Sequence, residues 1–427
     1  MIALYGLGLL AMLATSLPVA VCILLVGVGA ILIAGVPHSM IVERLIFGLD
    51  SFLLIAIPLF LFMGNLMNAS GITARIFTFA QSLVGHWNAG LAQVNVVSSV
   101  IFSGMSGSAL ADAAGLGSIE IKAMRDAGYS PAYAAAITAA SATIGPVIPP
   151  SIAAILYAFI ADVSIGRMFL AGIVPGFLMT VVLMATVHWR ARRLDLPRTP
   201  RVDGRTRLRS FTIALPALIC PVVLIGGMRS GAFTATELAA VGVLYAAVLG
   251  AIFHRDVALR DLWSAARETA ITAGGIMLIV AAAHVFAWIL AREQIPQDLA
   301  RWIVDLGLAE WQFLLVVNII LLILGMLLDT TAILILVAPV LAPVAIALGL
   351  DPVHFGIVMI VNMMVGLLTP PVGMALFVVA RLADTSVGAV AREALPYVVT
   401  LLITLMVLTY VPEIVLFLPD LVYGGSS

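Results

Sequence analysis

Ser103-Gly104-Met105-Ser106-Gly107-Ser108 runs on through Ala109, Leu110 and Ala111 to Asp112, which crowds three hydroxyls and a carboxylate into ten residues. The glycines of that line disfavour a continuous helix. Polar atoms in apolar surroundings are costly unless they pair, line water or ligate something. A companion line, Gly145-Pro146-Val147-Ile148-Pro149-Pro150-Ser151, supplies the complement. Proline has no N–H, so Pro149 cannot bond the Gly145 carbonyl, nor Pro150 that of Pro146. Two carbonyl oxygens are therefore expected to be released. Carbonyls, hydroxyls and carboxylates are what hard cations bind, so the two lines together read as a cation site.

The device recurs 221 residues later in one fixed register. Gly104-Met105 lines up with Gly325-Met326, and Ser130-Pro131 after Gly128 lines up with Asp351-Pro352 after Gly349. Gly145 before Pro149-Pro150 lines up with Gly366 before Pro370-Pro371. In this second copy Pro370 frees the carbonyl of Gly366, Pro371 frees that of Leu367, and Thr369 offers a hydroxyl. Gly325, Asp329, Thr330 and Thr331 form the facing tip, with Asp329 at the position of Ser108. Duplicated glycine and tandem proline inside hydrophobic segments point to paired discontinuous membrane helices at a transport site. The plainer reading is a pair of Pro-kinked helices packed through small residues.

Single charged residues have two readings each. Asp329 sits in apolar sequence, where a carboxylate is a ligand or substrate contact by default and otherwise a satisfied hydrogen bond. Arg292 closes the run Ala270–Leu290 and is followed by Glu293. It suits bidentate capture of a substrate carboxylate, or else it snorkels to the interface. Asp112 caps a hairpin end or joins the site, and His284 is an interior hydrogen-bonded residue or a proton relay.

These elements must be positioned by membrane spans. Of 427 residues, 63% are hydrophobic and 10% charged, too few charges for a water-exposed surface of this size, so the chain reads as an all-α polytopic membrane protein. Runs long enough to span are Ile2–Val36, Phe52–Met67, Met168–Val187, Thr234–Phe253, Ala270–Leu290, Phe313–Leu328 and Pro396–Leu418. Leu91–Phe102 and Ala132–Ile144 are too short and read as half-helices or hairpin arms, whose irregular backbone must be buried or face a watery cavity. Eight arginines lie in Arg190–Arg209 against Asp195 and Asp203, the strongest positive-inside signal, which places this loop in the cytoplasm. The first span looks retained and kinked at Pro18, without a basic n-region or cleavage site. Cys22 and Cys220 read as small core residues. The division expected is 1–50, N-terminal scaffold; 51–165, first repeat core; 166–268, connecting spans with the basic loop 190–209; 269–385, second repeat core; and 386–427, a C-terminal span.

Several chemistries are excluded or weak. No GxxxxGK[ST] is present and Lys122 is the one lysine, so the chain does not hydrolyse ATP by a P-loop. No HExxH occurs. Gly104-Met105-Ser106-Gly107 matches the short GxSG of intramembrane serine proteases, with His284 as a candidate base, but that leaves the second repeat unexplained. Nucleic-acid binding by the basic loops is disfavoured beside so many spans.

With these lines in view, the chain resembles the large membrane subunit of the TRAP (tripartite ATP-independent periplasmic) transporters. The resemblance rests on Ser103–Ala113, Ile121–Arg125, Gly128–Ala132, Ala139–Ser151, Leu324–Ile333 and Val365–Ala375, and covers essentially the whole sequence. It implies an inverted-repeat, elevator-type transporter with two re-entrant helical hairpins and a scaffold, in the bacterial inner membrane, and not an enzyme. It implies Na⁺-coupled symport of an organic acid, such as a C4-dicarboxylate, a sugar acid or sialic acid, with no organic cofactor. A periplasmic binding protein would deliver the acid, and a small four-helix membrane subunit would complete the carrier. The family's first Na⁺ site maps onto Ser103, Ser106, Gly145, Ile148 and Pro150, and the second onto Gly325, Gly366 and Thr369. Substrate contacts map onto Ser108, Asp329 and Arg292. A related alternative is a two-hairpin dicarboxylate carrier working without a binding protein.

Overall fold

The computed structural model describes residues 8, 9, 11, 12, 15, 17–192, 199–229, 233–253, 259–305, 307 and 309–424. All regular structure among them is helical. Helices α1 (Val19–Ile33) and α2 (Ser39–Phe47) lead, through a 3₁₀ turn at Phe52–Ile55, into α3 (Ala56–Ala69) and α4 (Ile72–Val84). A first unit follows: α5 (Gly90–Ser106), α6 (Ala109–Ala114), α7 (Leu116–Asp126), α8 (Pro131–Ala142) and α9 (Ile152–Ala161). Helices α10 (Ile165–Ala191), α11 (Gly204–Arg229), α12 (Ala235–Phe253), α13 (Leu259–Arg292) and α14 (Ile295–Asp305) connect it to a second unit. That unit is α15 (Glu310–Leu327), α16 (Thr330–Ala347), α17 (Pro352–Leu367) and α18 (Met374–Leu382), after which α19 (Val387–Tyr410) and α20 (Pro412–Tyr423) close the described chain.

The register seen in the sequence is a register of helix ends. Shifted by 221 residues, the end of α5 falls on that of α15, and the span of α6 plus α7 falls on that of α16. The start of α8 falls on that of α17, and the end of α9 on that of α18. Local chemistry explains the shared starts. Ser130 Oγ accepts the Tyr133 N–H at 3.2 Å ahead of Pro131. Asp351 Oδ1 accepts the N–H groups of Val353 at 2.8 Å and His354 at 3.0 Å ahead of Pro352. A capping oxygen followed by proline in the first turn satisfies an orphan donor and omits another, worth about 1 kcal/mol per cap. Pro149-Pro150 and Pro370-Pro371 are both joined by cis peptide bonds.

Each unit also pins its own long helices with a buried amide. Asn95 of α5 donates to Thr138 Oγ1 at 2.7 Å and accepts from Ser141 Oγ at 2.6 Å, both on α8. Asn318 of α15 accepts two bonds from the Asn362 amide of α17, at 2.7 and 2.9 Å. Ser141 and Asn362 are register equivalents. The last helix of each unit leans on the other unit, α9 on α16 and α18 on α6 and α8. Outside them, α13 packs on α1, α2 and α3, while α10 packs on α19 and α20. Arg190 of α10 pairs with Glu393 of α19 and lies 4.9 Å from the Tyr133 ring centroid.

Seven helices among the described residues are long and apolar enough to cross a membrane, from Phe52–Ala69 to Val387–Tyr410. Val181, Leu244, Ile271 and Ile323 stand exposed on their outer faces, as lipid contact demands. The chain is an all-α polytopic membrane protein. Helix occurs at residues 8, 9, 11 and 12 ahead of Pro18 and resumes at Val19 just after it, while residues 1–7, 10, 13, 14 and 16 lie outside the described residues. One expectation is corrected. The boundary expected between 268 and 269 falls inside α13, which is continuous over 34 residues. Arg267 and Glu268 are exposed on a flank of that helix while Ala265 and Thr269 are buried, so the charges mark a side and not an end. Of the basic loop 190–209, residues 193–198 lie outside the described residues, and its two ends are drawn into α10 and α11.

Candidate functional site

Helix α5 runs through Gly104 and stops at Ser106, because Gly107 adopts φ 63°, a left-handed conformation open to glycine at little cost. Ser108 then starts α6, its Oγ accepting the Ala111 N–H at 3.4 Å. The break meets the companion line directly. A Cβ on Gly107 would lie 2.4 Å from the Pro150 carbonyl oxygen, and one on Gly145 would lie 2.3 Å from Asp112 Oδ2. Ser106 Oγ donates to Asp112 Oδ1, whereas Asp112 Oδ2 is buried with no hydrogen-bond partner. Ser106 and Gly145 thus meet at one carboxylate, while Pro150 lies against the neighbouring Gly107. Ser103 is buried one turn earlier, with Oγ donating to the Val100 carbonyl at 2.6 Å. Ile148 is turned toward α10, where a Cβ on Gly176 would meet it at 2.3 Å.

The second unit makes its break with backbone. A Cβ on Gly366 would lie 2.7 Å from Gly325 Cα, so α15 and α17 touch main chain to main chain. Asp329 starts α16 with Oδ2 accepting the Thr331 N–H at 3.0 Å. The Gly373 N–H donates to the Met326 carbonyl at 3.1 Å and ties the two limbs together. Thr369 Oγ1 donates to the Val365 carbonyl at 2.6 Å. Of the four carbonyls expected to be free, two are re-used. Pro146 O accepts from Ser151 Oγ, and Gly366 O accepts the Thr369 N–H at 2.9 Å in a tight turn. Among the described residues no such bond ends on Gly145 O or Leu367 O.

The two tips converge on a cavity of about 370 Å³. Ser108 lines it from the first tip, Asp329, Thr330 and Thr331 from the second, and Asn65 of α3 with Glu268 and Thr272 of α13 from the far wall. Asn65 Nδ2 donates to Thr269 Oγ1 at 3.0 Å, stitching α3 to α13 beside it. The structure therefore brings together Ser108 and Asp329. Arg292 is elsewhere: it ends α13, exposed, with its guanidinium 5.7 Å from the Trp288 ring centroid. Ile276 is the last α13 residue on the cavity, sixteen residues and about 24 Å of helix away. Sequence reasoning missed the far wall. Its one signal was Glu268, Thr272 and Ile276 at four-residue spacing, a single helix face.

Nor do Ser106 and His284 form a nucleophile and base. The Ser106 hydroxyl is engaged by Asp112, and the His284 ring lies against Phe47 and Phe159, at 6.0 and 6.3 Å between centroids. Cys22 and Cys220 are free and buried.

Comparison with known proteins decides the family. The model of the tripartite ATP-independent periplasmic transporter, DctM component, matches residues 7–414. The chain belongs to the DctM family of TRAP transporter large permeases. It is 44% identical over 382 residues to the sialic acid TRAP transporter large permease protein SiaM of Vibrio cholerae, covering 90% of each chain. It is 43% identical over 371 residues to the C4-dicarboxylate TRAP transporter large permease protein DctM of Pseudomonas aeruginosa, covering 87% of each. The crystal structure of the Alcanivorax borkumensis YdaH transporter shares the fold at TM-score 0.65 and 18% identity, covering 86% of each chain. As a TRAP permease the protein is a transporter and not an enzyme.

Proposed function

We propose that this permease carries an organic acid inward by sodium symport across the bacterial inner membrane, with the two hairpins moving as one body past a scaffold that includes α3 and α13. The observation that carries the reading is the convergence of two register-related tips on one cavity, closed on its opposite side by α3 and α13. Inverted repeats closing on a central site are the usual architecture of alternating access. In this reading the hairpins are re-entrant, and the elevator step exposes the cavity first to one side and then to the other.

The electrostatics of the cavity favour coupling. Among its lining residues are Asp329 and Glu268 but no Lys, Arg or His. An anion entering it would be met by hydroxyls and by the N–H groups opening α16. Its charge would be offset by cations held behind the tips, one at Ser103, Ser106, Gly145, Ile148 and Pro150, the other at Gly325, Gly366 and Thr369. Asp112 supplies the first of these with a buried carboxyl oxygen that has no hydrogen-bond partner. If more than one Na⁺ enters with each monoanion, every net positive charge gains about 2.3 kcal/mol per 100 mV of inside-negative potential. A small four-helix membrane subunit and a periplasmic binding protein complete the machine.

The test is uptake into proteoliposomes with both partner proteins supplied, no ATP, and Na⁺ gradients imposed and removed. Accumulation should require Na⁺ and grow with an inside-negative potential. Uptake that continues unchanged without Na⁺ would sink the symport reading, and full uptake by the purified chain alone would favour a carrier without a binding protein.

A further inference from the structure

We propose that an anionic phospholipid binds on the flank of α13, its phosphate held by Arg44 and Arg292 and one acyl chain lying in the slot between α9, α13 and α16. Arg292, Trp288, His284 and Val280 follow at four-residue intervals and so share one face of α13. That face changes character along its length, from cation through indole and imidazole to alkyl. Trp288 carries two guanidiniums: Arg44 at 5.5 Å and Arg292 at 5.7 Å from the ring centroid. Neither arginine is in an ion pair among the described residues, and Arg44 Nε is buried without a hydrogen-bond partner. Two unpaired cations converging on one indole form a receptor for a phosphate, and tryptophan is the side chain that settles at headgroup level.

The slot continues inward from this point. It is an apolar cavity of about 190 Å³ lined by Phe159, Ile160, Val280, His284, Ile335 and Pro339, among others. Contact is unbroken from cation to slot. Arg44 stacks 5.7 Å from the Phe47 centroid, and the Phe47 ring is 6.0 Å from that of His284, which lines the slot. From Arg292 to Val280 the helix rises about 18 Å, close to one leaflet of a hydrocarbon core about 30 Å thick. Charge, indole and apolar groove thus follow one another in the order and at the length of a phospholipid. A soluble anion would leave the slot empty. A partner helix would fill the slot without needing the paired cations.

The lipid site stands on this geometry alone. Its consequence rests on the proposed elevator: α9 and α16 belong to the repeats and α13 to the scaffold, so the acyl chain lies between surfaces that slide.

Native mass spectrometry of the detergent-purified chain tests it, with phosphatidylglycerol and phosphatidylcholine of identical chains. Phosphatidylglycerol should be retained at least fivefold better, and glycerol 3-phosphate, a headgroup without tails, should not compete. The double variant Arg44→Gln, Arg292→Gln should erase the preference, while Arg44→Lys with Arg292→Lys keeps most of it. Ala287→Phe, which fills the slot, should weaken both lipids. Melting temperature and helix content guard against misfolding. Equal retention of the two lipids by the wild type, a preference that survives the double Gln variant, or competition by glycerol 3-phosphate would each overturn the proposal. So would loss of the small membrane subunit, rather than of lipid, from the double Gln variant of the two-subunit complex.

Discussion

In the first hairpin the carboxylate sits four residues behind the tip, at Asp112, buried against Gly145 and bonded to the Ser106 hydroxyl. In the second it stands on the tip itself, at Asp329, capping α16 and facing the cavity. The register partner of Asp112 is Ile333, fully buried, and that of Asp329 is Ser108. Where the first hairpin closes around a side chain, the second closes with Gly325 and Gly366 pressed together. The shared helix ends follow one backbone plan twice, while the chemistry that holds each break differs. One break is held by a buried carboxyl group and the other by close approach.

That contrast is open to attack at several points. Gly366→Ala should have the largest effect, because its Cβ meets backbone that cannot rotate away. A destabilisation of about 1–3 kcal/mol and at least a tenfold loss of uptake are expected in thermal melts and proteoliposome assays. Gly145→Ala meets a carboxylate oxygen instead, so its melting temperature should fall less. Equal losses in the two variants would erase the distinction. Asp112→Asn comes next: it keeps the shape, removes the ionisable carboxyl, and should raise the Na⁺ half-saturation of uptake about tenfold, or about 1.4 kcal/mol. Asp329→Asn keeps a good cap and should leave stability unchanged while altering the half-saturation for the acid. Ser106→Ala and Thr369→Val each remove one oxygen from a proposed Na⁺ site to which backbone carbonyls would also contribute. A few-fold loss in apparent Na⁺ affinity is expected, and normal Na⁺ dependence in either would mark its hydroxyl as a cap. Arg292→Lys should do least. With Arg292 about 24 Å of helix from the cavity, uptake at equal membrane abundance should match wild type, and a large fall would return the guanidinium to the substrate.

Much of this was legible in the residues. Gly107, the tandem prolines and the cap-plus-proline pairs act over a few neighbours, so sequence alone locates both breaks and the register between them. Asp112 was visible as a charge but not as the centre of its site. The Gly145 that it faces lies a whole hairpin away in the chain, and that approach is a tertiary fact. The distance of Arg292 from the cavity was hidden for the same reason, since chemistry suited to a carboxylate says nothing of where a helix delivers it. The re-used carbonyls of Pro146 and Gly366 show how a local rule falls short: proline removes one donor, but a nearby Ser151 hydroxyl or the Thr369 N–H replaces it.

Helix α13 is about 51 Å long at 1.5 Å per residue, against a hydrocarbon core of about 30 Å. It must lean steeply or leave the hydrocarbon for a large part of its length. Either choice ties its orientation to bilayer thickness. Glu268 and Thr272 travel with it, so the far wall of the cavity between the tips tilts as the membrane thins or thickens. Acyl-chain length in the host membrane then becomes a setting of the transporter, one that no substitution in the hairpins can reach.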